Sequence, residues 1–180
     1  MTHFIDQRQA LSPHFTLKEF TRSEAANKHQ LYNVPREESE IANLRALALK
    51  VLEPAREILN KPLIITSGFR CGTLNRLIGG AAQSQHMYGE AADFIVRGLS
   101  MFDAAITLAA QDSLPFDQLI YEIRVRQEQR PLEWLHVSHK RLGGNRHEVL
   151  TVYVDNDQRE TQKGILSMNE FNTMENNHAA

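Results

Sequence analysis

Ser84-Gln85-His86-Met87-Tyr88-Gly89-Glu90-Ala91-Ala92-Asp93 sets a histidine and an aspartate on either side of a glycine, just ahead of an apolar run. On a strand, side chains seven apart face opposite sides; on a helix they share a face but lie about 10 Å apart along the axis. Neither arrangement converges on one ion. A turn at Gly89 removes the conflict, because glycine adopts backbone conformations that other residues avoid, and it folds His86 back toward the start of the following strand. The stretch therefore reads as a loop ligand followed by a strand ligand on Ala91 to Val96.

A second fragment, Glu133-Trp134-Leu135-His136, supplies a third ligand if the fold returns it beside the first. Two histidines and a carboxylate suit catalytic zinc, which keeps its fourth position open, whereas structural zinc is closed by four ligands that usually include cysteines. The chain has one cysteine, Cys71, so neither a multi-cysteine metal site nor an internal disulfide can form. Glu133 lies three residues before His136, and on a regular strand it faces away from His136. To act as general base and then acid it must sit at the strand entrance or on a bulge, which Pro131 just before it favours. Arg70 closes the run Thr66-Ser67-Gly68-Phe69-Arg70 and offers a fixed cationic fork for a substrate carboxylate or an oxyanion. Ser84 can donate a further hydrogen bond near His86, or fix its own loop locally.

The remaining chain frames these fragments. Thr16-Leu17-Lys18-Glu19 is a capping box, with Phe15 and Phe20 placed as a hydrophobic staple. From Glu37 to Leu59, apolar residues at Ile41, Leu44, Ala48, Val51, Leu52, Ala55, Ile58 and Leu59 make one helical stripe. Pro54 inside it predicts a kink or break near Val51 to Glu53. Strands are expected at 62–67, 91–96, 118–123, 134–138 and 149–154, a brief helix at 73–78, and a helix capped by Ser100 through Ala110. Helices come first and a sheet-forming half follows. Asp117, Gln118 and Glu122 read as residues that shape the sheet or the surroundings of the site, and His139 as either exposed or bordering it.

At 180 residues, the chain suits one domain that buries roughly two-thirds of its unfolded surface. The expected division is a single domain over 1–155 and a polar, loosely held tail over 156–180. Ordinary apolar (42%) and charged (23%) fractions indicate a globular protein, and a net charge of −2 argues against a nucleic-acid partner. No apolar run approaches the ~20 residues that span a bilayer, and Met1 to Phe20 hold no secretory apolar core. Synthesis in the cytoplasm and a monomeric state are expected.

Several of these motifs occur in the order found in one family. SGFR at Ser67 to Arg70, SQHMYGEAAD at Ser84 to Asp93, FDQLIYE at Phe116 to Glu122 and EWLHVS at Glu133 to Ser138 resemble the M15 peptidases. The similarity runs from about Ser12 to about Val154 and is strongest to the zinc D-Ala-D-Ala carboxypeptidase branch and related phage peptidoglycan hydrolases. The resemblance implies an α+β fold, with N-terminal helices packed on a small, mostly antiparallel sheet of the hedgehog and DD-peptidase type. It implies zinc held by His86, Asp93 and His136, Glu133 as catalytic base and Arg70 as stabiliser of substrate or transition state. The implied substrate is a peptidoglycan stem peptide, and phage-type release is one route by which a chain without a visible export signal reaches the cell wall. Two rivals use the same residues: an idle zinc module that binds cell-wall peptide or a protein partner, and a non-haem Fe(II) oxygenase.

Overall fold

The computed structural model describes residues 6–126, 129–156, 158–171 and 173. The first helix, α1 (Leu17–Thr21), starts where local signals place it. Glu19 Oε2 accepts from the Thr16 backbone N–H at 2.7 Å and from its hydroxyl at 2.8 Å, and the Phe15 and Phe20 rings meet edge to face at 6.1 Å. After α2 (Glu24–Lys28) comes the long apolar stripe, α3 (Glu38–Leu47) and α4 (Glu53–Leu59) joined by a π-helical turn at Ala48–Leu52. The π turn is how the chain accommodates Pro54. With no N–H to give the Lys50 carbonyl, and a ring that crowds it, the proline is absorbed by a wider turn instead of a break.

Further on lie α5 (Gly72–Leu77) and α6 (Met101–Ala109), where Ser100 Oγ caps the Asp103 N–H at 3.0 Å. Among the described residues six strands, β1 (Leu63–Ser67), β2 (Ala91–Val96), β3 (Gln118–Arg126), β4 (Gln129–Ser138), β5 (Glu148–Asp155) and β6 (Gln158–Lys163), form one sheet in the order β1-β2-β4-β3-β5-β6. Every pair is antiparallel except β3 with β5. The fold is α+β, as expected.

Period-two alternation gives this sheet two unlike faces. Leu63, Ile65, Phe94, Val96, Leu119, Tyr121, Ile123, Leu135 and Val137 join Leu44, Leu47, Leu52, Leu108 and the two staple phenylalanines in one buried core. The opposite face carries Asp93, Ile120, Glu122, Trp134 and His136, and with the segment around 78–86 it lines an open cleft.

The chain past Asp155 departs from expectation. It adds β6 along the edge of β5, the Leu166 N–H donates to Thr151 Oγ1 at 2.9 Å, and Phe171 is buried and stacked on Tyr153 at 5.0 Å. Residues 174–180, where a loose tail was expected, lie outside the described residues. No helix among the described residues is long and apolar enough to cross a membrane.

Candidate metal centre

Asp93 stands in the middle of β2, opposite Ser67 of β1 on one side and His136 of β4 on the other. His86 arrives from a 3-10 turn, Gln85–Tyr88, that ends at Gly89 with φ 70°. Gly89 is needed twice: its conformation disfavours L side chains, and a Cβ there would collide with the Glu40 carbonyl of α3. The turn lies against the β1 exit loop, where the Arg70 N–H donates to the His86 carbonyl at 3.1 Å. Asn33 pins that loop, its amide donating to the Phe69 and Thr21 carbonyls and its oxygen accepting from the Cys71 N–H.

The three side chains converge and are all buried, at 3%, 7% and 9% exposure for His86, Asp93 and His136. His86 Nε2 lies 3.2 Å from His136 Nδ1 and 3.3 Å from Asp93 Oδ1, and His136 Nδ1 lies 2.8 Å from the same oxygen. The first two spacings match the edges, about 3.3 Å, of a tetrahedron whose centre is about 2.0–2.1 Å from each donor, and the third is shorter. His86 Nδ1 donates to the Gly68 carbonyl at 2.7 Å, so the lone pair of Nε2 faces the other two donors. Burial, with the nearby Arg70 and His136 charges, moves the His86 pKa down against the pull of Asp93. Burial pushes the Asp93 carboxyl up, but the electrostatic pull of His86 and the hydrogen bond from His136 outweigh it and hold the pKa well below the usual range. Neutral imidazole and ionised carboxylate are the ligating forms, and the donor set fits one zinc ion.

Arg70 donates to Asp93 Oδ2 at 2.7 Å and to Ser67 Oγ at 3.1 Å, and lies 3.1 Å from His86 Nε2. Ser84 lines the cleft, its backbone bonded to Ala81 and Met87. The cleft holds about 980 Å³; Trp134 forms part of its wall, with Arg124 5.6 Å over the ring, and Lys140, Arg146 and Arg159 border it.

Glu133 is placed otherwise than expected. The β3–β4 ladder runs without a shift from Leu132 to Val137, so no bulge forms and Glu133 points away from His136. Its carboxylate accepts from Tyr121 Oη at 2.9 Å on the helix-covered face, and burial, then that bond and the Glu133 charge, raise the Tyr121 pKa. His139, just past β4, is buried outside the cleft, bonded to the Pro115 carbonyl and Asn145. Glu122 is the cleft residue that the sequence reading undervalued. Its signal was the alternation Leu119, Tyr121, Ile123, which marks one face of β3 as core and leaves Gln118, Ile120, Glu122 and Arg124 on the other.

Asp117, fully buried at the entrance of β3, braces the loop that carries His86. It accepts from the Arg146 N–H (3.0 Å) and guanidinium (2.6 Å), pairs with Lys140 (3.2 Å), and accepts from the Gln85 amide at 3.1 Å. Burial raises its pKa, but the Arg146 and Lys140 bonds win and bring it to about 2. A carboxyl held below its unfolded pKa stabilises the fold fully above that pKa and loses the contribution as pH falls through the folded value. Asp117→Asn is expected to cost on the order of 2 kcal/mol or less at neutral pH, because Arg146 and Lys140 are half exposed. Urea midpoints should show the gap to the parent closing between about pH 4 and pH 2.

Comparison with known proteins adds a family. Residues 13–126 match the family described as Peptidase M15. That span contains His86 and Asp93 and stops before β4. The zinc D-Ala-D-Ala carboxypeptidase of Streptomyces albus G is 53% identical over 34 residues, which is 19% of this chain and 13% of that relative. The matched segment is thus a small part of either protein.

Proposed function

The chain belongs to the peptidase M15 family, and from that premise we propose that it is a zinc peptidase that hydrolyses a peptide bond in peptidoglycan stem peptides, as a carboxypeptidase or an endopeptidase. The convergence of His86, Asp93 and His136 at zinc-like spacings carries this reading. These residues hold the ion, and the similarity to a protein named as a zinc D-Ala-D-Ala carboxypeptidase supports the substrate class. Zinc, when bound, polarises a scissile carbonyl and lowers the pKa of its water to about 7.

The chain's own residues do the rest. The Gly68 carbonyl keeps the Nε2 lone pair of His86 turned inward, and Arg70 orients Asp93 through Oδ2. The Arg70 charge, which lines the cleft, also stabilises a substrate carboxylate or the oxyanion of the tetrahedral intermediate. Ser84 donates its hydroxyl to bound peptide. The place of action that goes with this substrate is the cell wall.

The test is incubation of zinc-loaded protein with purified peptidoglycan, followed by mass analysis of the released fragments. Free D-alanine or shortened stem peptides are expected, abolished by a chelator and restored by zinc. Stoichiometric zinc with no new fragment would overturn the reading in favour of an idle binding module.

A further inference from the structure

We infer that Glu122, on β3, and not Glu133 is the group that takes a proton from the attacking water and passes it to the leaving amine. This rests on the peptidase reading above and specifies its proton carrier. In the step, the water oxygen bonds to the scissile carbonyl carbon while its proton goes to the Glu122 carboxylate. The C–N bond then breaks, its electron pair stays on nitrogen, and Glu122 returns the proton there. One water is consumed and nothing is oxidised or reduced.

Register carries the argument. His136 lies directly opposite Ile120, and Glu122 lies directly opposite Trp134. Two residues on from Ile120 along β3, Glu122 shares the face of His136 and is its diagonal neighbour, a Cα separation of about 7–8 Å that a glutamate side chain can cross. Asp93 flanks His136 from β2, so the ligand pair and Glu122 stand side by side on three adjacent strands. Both Glu122 and the three ligands line the same cleft, whereas Glu133 does not and is held by Tyr121 on the other face.

The surroundings suit proton transfer. The Glu122 side chain is only 12% exposed, and Arg159 of β6 forms a long ion pair with it at 3.8 Å. The other charges that it feels are Asp93, His136 and Arg124. Burial first, and the Asp93 charge next, raise its pKa above the ordinary carboxylate value. Because ionised Glu122 is disfavoured by burial, Glu122→Gln should fold at least as well as the parent.

The deciding experiment compares Glu122→Gln and Glu133→Gln, each loaded with zinc, on a peptide that the parent cleaves, and each loaded with cobalt(II) for its visible spectrum across pH. Glu122→Gln is expected to lose about 10²- to 10⁴-fold in kcat, with KM and zinc affinity from dye competition little changed. Its cobalt spectrum should titrate at a shifted pH, while Glu133→Gln keeps most of its kcat and a parent-like titration. Parent-like kcat in Glu122→Gln, or a cobalt titration that moves only in Glu133→Gln, would overturn the assignment. If the parent cleaves nothing, the peptidase reading fails and the assignment of a proton carrier falls with it; the cobalt titration then still tells whether Glu122 faces the ion.

Discussion

Asp93→Ala is expected to weaken zinc binding roughly 10³-fold or more, with no measurable peptidase activity left at micromolar zinc. The size of the effect comes from two jobs on one carboxylate. Oδ1 stands 2.8 Å and 3.3 Å from the two histidine nitrogens, while Oδ2 accepts from Arg70 at 2.7 Å. Removing it deletes a ligand and leaves a cation, 15% exposed, against two imidazoles with no counter-charge. Breaking a buried ion pair from one side costs roughly 3–5 kcal/mol, so the metal-free protein should also be destabilised. Asp93→Asn separates the contributions, since it keeps shape and one acceptor but loses the charge. Dye competition for zinc and urea melts of chelated protein measure them independently. Stoichiometric zinc retained by Asp93→Ala would show that the ion sits elsewhere.

What could be read from sequence divides by how far apart the deciding residues lie. The staple of Phe15 and Phe20 and the caps at Thr16 and Ser100 are contained within a few residues, and they form as local rules state. The turn at Gly89 was legible because a single strand or helix could not aim His86 and Asp93 together, although the Glu40 carbonyl that also excludes a side chain there is 49 positions away. Glu133 shows the opposite case. Strand alternation alone turned it from His136, and the need for a base suggested a bulge. The β3–β4 pairing leaves none, and it brings up Glu122, whose closeness to His136 depends on register between two strands. The β6 strand was hidden for another reason. Gln158–Lys163 is a polar edge with no apolar alternation, which is how natural sheets avoid edge-to-edge aggregation.

The second large effect is expected from a residue that touches neither metal nor substrate. A Cβ on Gly68 would lie 2.6 Å from both the Cα and the carbonyl oxygen of Phe20, so Gly68→Ala cannot be absorbed by a side-chain rotation. The α1 backbone is poorly placed to retreat, since Phe20 is fully buried and Asn33 bonds the Thr21 carbonyl and the Phe69 carbonyl together. The loop must shift instead, and the Gly68 carbonyl that sets the His86 tautomer shifts with it. Overpacking of this kind costs roughly 1–3 kcal/mol, and losing the partner of a ligating histidine lowers metal affinity about 10- to 100-fold. Gly72→Ala is the control: it opens α5, and its Cβ would meet only the Arg76 guanidinium at 3.6 Å, an ordinary contact. That variant should leave zinc affinity unchanged. If Gly68→Ala lowers the melting temperature while zinc affinity stays at the parent value, the carbonyl is a packing element and the orientation of His86 is set by the Gln85–Tyr88 turn alone. If both fall together, the contact between α1 and the β1 exit loop is what couples the N-terminal helices to the metal centre.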